Sequence, residues 1–252
     1  LNANTVTAGV VTEATGSALT SATTQFGDLQ GVVGDYFSTP DSVANSITGD
    51  MTVEVDVALT DWTPASNTLI SKFGSAGNHA FFVRVYATGI NLDLSADGTN
   101  RANTYSTATA SFVNGSRHTI KIVYDATAQT VEYWFDGVLD STVATTIASI
   151  FDSTEQVNVG QLNSGEYVDG KIYSAKIFSG TSTTPAVEFN AGDYTSGSTF
   201  VSSTSGETWT LNGNASVFQP PVDASGPFGY LAEGASTNLL PQSGSIGTSP
   251  WL

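Results

Sequence analysis

The 252 residues carry seven Lys plus Arg against 23 Asp plus Glu, a formal charge of −16 that repels phosphate backbones and anionic lipid and argues against a nucleic-acid partner. Apolar residues make up 40% of the chain and charged ones only 12%, so a substantial core is available and Thr, Ser, Asn and Gly do the solubilising. The absence of Cys excludes disulfides and thiolate metal sites, two histidines leave little for zinc, and no run approaches the roughly 20 apolar residues that cross a bilayer.

Residues 1–34 are rich in Thr, Ala, Gly and Ser, with weak alternation around Val6 to Thr12, and read as an extended arm that gains order against something else. From Tyr36 the pattern tightens. Strands are expected at 35–38, 51–59, 68–73, 80–87, 90–95, 118–125, 130–135, 138–142, 157–161 and 171–179. Turn pairs such as Thr88-Gly89, Asp97-Gly98, Asn114-Gly115 and Asp136-Gly137 separate them. Ile120, Ile122 and Tyr124 alternate with Thr119, Lys121 and Val123, and Val131, Tyr133 and Phe135 alternate with Glu132, Trp134 and Asp136. Period two gives each strand one face for a core and one for solvent. Asp136-Gly137 is a strong two-residue hairpin signal, because that turn needs positive φ at both positions.

Helical signal is confined to a turn or two within 143–151 and 186–194. A late strand with an Asn212-Gly213 turn is expected within 207–217. Residues 219–252 hold five of the eight prolines and no alternation, the mark of an extended linker or docking tail. The organisation expected is an arm (1–34), an all-β domain built as a two-sheet antiparallel sandwich (35–218) and a tail (219–252).

Six segments then appear in order: ITGDMTVEVDVAL, TLISKFG, HAFFVRVYATGINLDLSADG, SRHTIKIVYDATAQTVEYWFDGVLDST, VNVGQ and GKIYSAKIFSG. Their succession across residues 35–218 resembles the laminin-G-like and concanavalin-A-like lectin/glucanase domains, which implies a jelly-roll sandwich. A second likeness is narrower. In GPFGYLAEGASTNLLPQSGSIGTSPW, Glu233, Thr237, Asn238, Leu239 and Leu240 match the E-x-x-x-TNLL-x-x-S segment of bacteriophage tail and minor structural proteins. That likeness implies a virion protein displayed on the particle exterior, or otherwise extracellular. Its arms would bind other virion proteins, with a homo-oligomer, a trimer by analogy, as the assembly. The chain opens on Leu and stops where a further module follows in such proteins, consistent with a processed product or a fragment.

For chemistry, Glu54-Val-Asp56 resembles part of the Glu-x-Asp-x-x-Glu strand of glucanases of this fold, where two carboxylates flank the scissile bond. The closing acid is missing: Leu59, or Thr60 with a bulge, stands in its place. No catalytic residue is therefore assigned and no enzymatic activity is expected. Phe82, Arg84, Tyr86, Lys121, Glu132 and Trp134 fall on polar strand faces; if those strands are neighbours, they form an aromatic and charged surface suited to a cell-surface glycan. Exposed aromatic patches mark interaction without naming the partner, and the same rings equally suit a place beneath the arm or tail. Asp93, Asp97 and Asp125 are the candidate calcium ligands, with turn formation the blander account of each. No other cofactor is expected.

Overall fold

The computed structural model describes residues 24–107, 112–163 and 165–220, together with strands β1 (Thr5–Thr7) and β2 (Val10–Thr12), which pair as an antiparallel hairpin. The architecture below belongs to the unit spanning residues 1–219, and the tail expected at 219–252 lies outside the described residues from 221 onward.

Sixteen further strands build two antiparallel sheets of eight. Sheet 1 runs in the order β12 (Val138–Ala144), β11 (Thr130–Phe135), β10 (Arg117–Asp125), β5 (Met51–Leu59), β14 (Asp169–Ser179), β3 (Phe26–Gln30) and β18 (Ser216–Phe218). Its eighth strand, β15 (Val187–Asn190), pairs with the second half of β14, whose first half pairs with β3. Sheet 2 runs β16 (Thr199–Val201), β17 (Thr208–Asn212), β4 (Tyr36–Thr39), β13 (Val157–Val159), β6 (Asn67–Phe73), β7 (His79–Tyr86), β8 (Gly89–Leu94) and β9 (Ala102–Tyr105).

Alternation decides what each sheet buries. Met51, Val53, Val55 and Val57 of β5 and Ile120, Ile122 and Tyr124 of β10 meet Phe81, Val83 and Val85 of β7 and Ile90, Leu92 and Leu94 of β8 in one core. Each such side chain contributes roughly 1.5–3 kcal/mol of transfer free energy on burial. Two polar ties cross or enter that core. The Tyr133 hydroxyl on sheet 1 accepts from the Leu92 amide at 3.0 Å and shares a 2.7 Å bond with Thr104 Oγ1, both on sheet 2. Lys72, fully buried, donates to Asp41 Oδ1 and Asn45 Oδ1, each at 2.6 Å.

The ten expected strands are all present. Asp136 and Gly137 adopt φ of 50° and 79° at the β11–β12 hairpin, as that turn requires. Residues 207–217 form β17, a turn and β18. Elsewhere the expectations are corrected. The segment assigned to an arm contains β3, whose sequence Phe-Gly-Asp-Leu-Gln turns Gly27 inward. A Cβ at Gly27 would lie 2.6 Å from the Phe37 ring, so close approach of an aromatic replaces the apolar side chain that sequence patterning looks for. Residues 186–194 hold β15 and a 3-10 turn (Ala191–Asp193), and the start of 143–151 completes β12. Strands β9 and β16 carry too few apolar residues to announce themselves.

Candidate functional site

Because Phe81, Val83 and Val85 face the core, Phe82, Arg84 and Tyr86 stand on the outward face of sheet 2. One register across seven strands of this face reads Thr210, Ser38, Asn158, Ser71, Phe82, Asp93 and Asn103. Six of those seven carry hydroxyl, amide or carboxylate groups, an unusual composition for a row in which Ser38, Asn158, Ser71 and Asp93 are buried.

The neighbouring register places Thr68, Arg84, Asn91 and Tyr105 side by side. The Arg84 guanidinium lies 4.3 Å from the Phe82 ring centroid and 4.8 Å from that of Tyr86. Its Nη1 donates to Glu166 Oε1 at 2.8 Å, and its Nε and Nη2 reach Asn91 Oδ1 at 3.4 Å. Glu166 holds a left-handed backbone (φ 58°), accepts from the Thr68 amide at 3.1 Å and takes the Thr68 hydroxyl at 2.9 Å. A non-glycine residue kept in that region costs free energy that its surroundings must offset, and such strain clusters at functional positions.

Asp93 is the odd member. It is 1% exposed, and its Oδ2 lies 3.4 Å from Arg101 Nη1 and 3.9 Å from Arg84 Nη2, while its Oδ1 is buried without a hydrogen-bond partner. Burial pushes the carboxyl up to about 6 against the pull of Arg101 and Arg84. Arg101 reaches over from the segment before β9, with its guanidinium 5.6 Å from the Phe73 ring and 5.7 Å from the Phe82 ring and its side chain 41% exposed. Phe73 stacks on His79 at 4.0 Å and meets Phe82 edge-on at 5.0 Å. Tyr86 and Tyr105 make a second, more open ring pair at 6.3 Å, with Tyr105 43% exposed.

The six expected glycan contacts divide between two faces. Phe82, Arg84 and Tyr86 are together on sheet 2, whereas Lys121, Glu132 and Trp134 belong to β10 and β11, on the outward face of sheet 1. One joint surface is therefore not formed. On sheet 1, the Trp134 indole donates to Glu132 Oε2 at 3.0 Å and Lys121 Nζ lies 5.8 Å from the Trp134 ring. The three candidate calcium ligands likewise separate. Asp93 faces outward from sheet 2, Asp97 caps its own turn through the Thr99 and Asn100 amides, and Asp125 caps a turn at the end of β10 through the Ala128 amide. Among the described residues no group of three His, Cys, Asp or Glu side chains converges for a metal.

Glu54 and Asp56 also face outward from sheet 1, each engaged by a cation. Arg117 grips Asp56 through two bonds of 2.7 and 2.6 Å, and Lys176 lies 3.7 Å from Glu54. Leu59, at the place of the third acid, is buried. A shallow cleft of about 230 Å³ opens beside them around Ala58, walled by Asp28, Gln30, Thr60, Asp169 and Lys171. Sequence reasoning missed Asn91, Arg101, Tyr105 and Glu166. The one signal available was strand parity, which pairs Asn91 with Asp93 on the polar side of β8.

Residues 30–188 match the family model of the concanavalin A-like lectin/glucanases superfamily. A candidate carbohydrate binding protein from Bacteroides ovatus shares the fold, with a TM-score of 0.56 at 10% identity; the match covers 77% of this chain and 59% of that one. A heptameric SAP-like pentraxin from Limulus polyphemus aligns with a TM-score of 0.46 at 14% identity over 61% of this chain and 75% of its own. Domains LG4-5 of the mouse laminin α1 chain give 0.46 at 13% identity over 66% and 44%. No curated protein matches the chain. Identities this low speak to fold alone, but the family model runs from the end of β3 into β15, more than half of the sequence and through the centre of both sheets: the chain belongs to the concanavalin A-like lectin/glucanase superfamily.

Proposed function

We propose that the sandwich is a non-enzymatic carbohydrate-binding module that recognises a cell-surface glycan through the outward face of sheet 2. The observation that carries the reading is the union, on one face, of the Tyr86–Tyr105 ring pair and the clamped Arg84 with the exposed amide of Asn103 at the open end of the polar row. Sugars present apolar C–H faces that stack on rings and hydroxyls that need fixed donors and acceptors, and both are supplied here. Binding to a glycan array tests it. Loss of at least tenfold in Tyr105→Ala with retention in Trp134→Ala supports this face; the reverse pattern assigns binding to sheet 1.

The non-enzymatic part rests on Asp56 being gripped by Arg117, on Glu54 sharing Lys176 with Glu188, and on the missing third acid. Release of reducing ends from β-glucans that disappears in Glu54→Gln would overturn it. The setting we propose is the exterior of a bacteriophage virion, as a fibre, tail-associated or capsid-decorating protein in a homo-oligomer, trimeric by analogy. Support comes from the Glu233 and Thr237-Asn238-Leu239-Leu240 pattern. Antibody raised against residues 24–220 labels intact particles if this is right, and unlabelled particles whose protein digest lacks the chain refute it.

A further inference from the structure

The Phe82 ring lies between two guanidinium groups that differ in how they are held. Arg84 is 9% exposed and fixed by Glu166, Asn91 and its contact with Tyr86. Arg101 is 41% exposed, and its hydrogen bond to Asp93, at 3.4 Å, is long for a charged pair. Beneath Arg101 lie the Phe82 and Phe73 rings and the Asp93 carboxylate, whose Oδ1 has no donor. A buried acceptor left unsatisfied is costly, and a donor that reaches it gains more than a donor exchanged with water.

We propose that the space now filled by the Arg101 guanidinium is a subsite for one neutral sugar residue, with Arg101 as a gate that swings out to admit it. The sugar's apolar face lies on the Phe82 ring with the perpendicular Phe73 ring at its edge, and one hydroxyl donates to the Asp93 carboxylate that Arg101 releases. This deepens the carbohydrate-binding reading and rests on it. The uncharged class follows from the charges that remain once Arg101 leaves. Asp93 and Glu166 stand against Arg84 alone, a net negative pocket in a chain of charge −16, which rejects carboxylated and sulfated sugars. The charged groups facing Asp93 are Arg101, Arg84 and Glu166. Because the hydroxyl donates to the ionised carboxylate, affinity falls as pH drops through about 6, where Asp93 takes up its proton.

Calorimetry or array titration of the whole chain with gluco-, manno- and galacto-oligosaccharides, and with uronate- and sialate-containing counterparts, tests the proposal. Arg101→Ala is expected to bind a neutral oligosaccharide more tightly, by about tenfold if the gate is shut about nine-tenths of the time. Asp93→Asn is expected to lose roughly tenfold to a hundredfold and to lose the pH dependence near 6. Both variants are first shown to unfold cooperatively, so that a loss is not one of folding. Weaker binding in Arg101→Ala, or preference for uronate or sialate sugars, overturns the gate and the neutral subsite but leaves the carbohydrate reading standing. No binding of any oligosaccharide by the unaltered chain overturns both.

Discussion

Replacing Asp93 with Asn removes a buried charge without altering shape, and its consequence for stability can be worked from the surroundings. An exposed aspartate titrates at 3.8 and burial pushes this one up to about 6. At 1.36 kcal/mol per pH unit, that displacement corresponds to about 3 kcal/mol. The folded chain holds the proton up to about pH 6 whereas the unfolded chain releases it near 3.8, so between those values the folded state binds more protons. Stability therefore falls as pH rises through the window and is flat above it. Three other carboxyls act in a different window. Asp97 is drawn down to about 2 by hydrogen bonds from Asn100 and the Thr99 amide. Asp136 and Asp140 are partly buried, but hydrogen bonds from His118 and from Thr107 outweigh that and lower both. What these three contribute is lost only as pH falls below 3.8. The Asn variant should thus gain about 2–3 kcal/mol at pH 7.5, a rise in Tm of roughly 4–10 °C for a chain of this size, and no gain at pH 4. Differential scanning calorimetry from pH 4 to 8 measures it. Parallel curves for the two proteins, or a variant that melts lower at pH 7.5, would mean that pairing with Arg101 and Arg84 outweighs burial.

Three further substitutions have stated costs. Tyr133→Phe strips the Leu92 amide of its acceptor and leaves the Thr104 hydroxyl with the Leu92 carbonyl alone, and should lower stability by about 1–3 kcal/mol, seen as an earlier urea midpoint with an unchanged m-value. Gly170→Ala forces a Cβ to 2.4 Å from the Ala58 carbonyl oxygen at a φ of 152°, and a loss of more than about 2 kcal/mol is expected in the same assay. Lys72→Met takes the donor from the buried Asn45 backbone carbonyl and leaves the Asn45 side-chain carbonyl with the Ser42 amide alone, while the part-exposed Asp41 resolvates, for a loss of about 2–3 kcal/mol; thermal unfolding within 1 °C of the unaltered chain would refute the buried network.

Strand positions and inward faces were legible because alternation is local: Ile120, Ile122 and Tyr124, with Val131 and Tyr133, pointed to the core they occupy. Sheet membership was not. A polar face looks the same whichever sheet bears it, so Arg84 and Trp134 read as neighbours although long-range pairing puts β7 and β11 in different sheets. Ring exposure was equally invisible. Phe82 reads as an outward aromatic, yet it is fully buried because cations brought from its own strand and from residue 101 cover it. The partner of Arg84 lies 82 residues away at Glu166, in a loop whose left-handed backbone has no sequence signature in a glutamate.

Phe26 of β3 is paired with Phe218 of β18, and their rings stack at 4.9 Å. Directly opposed residues in an antiparallel pair have Cα atoms about 4.5–5.5 Å apart, so the polypeptide enters and leaves the sandwich through a single doorway. A body whose first and last strand ends lie side by side can be grafted into a surface loop of an unrelated carrier without spreading that loop, and it can be excised again without breaking the carrier's own architecture. The doorway belongs to sheet 1, so a carrier joined there attaches to the opposite sheet from the exposed Arg101, Asn103 and Tyr105.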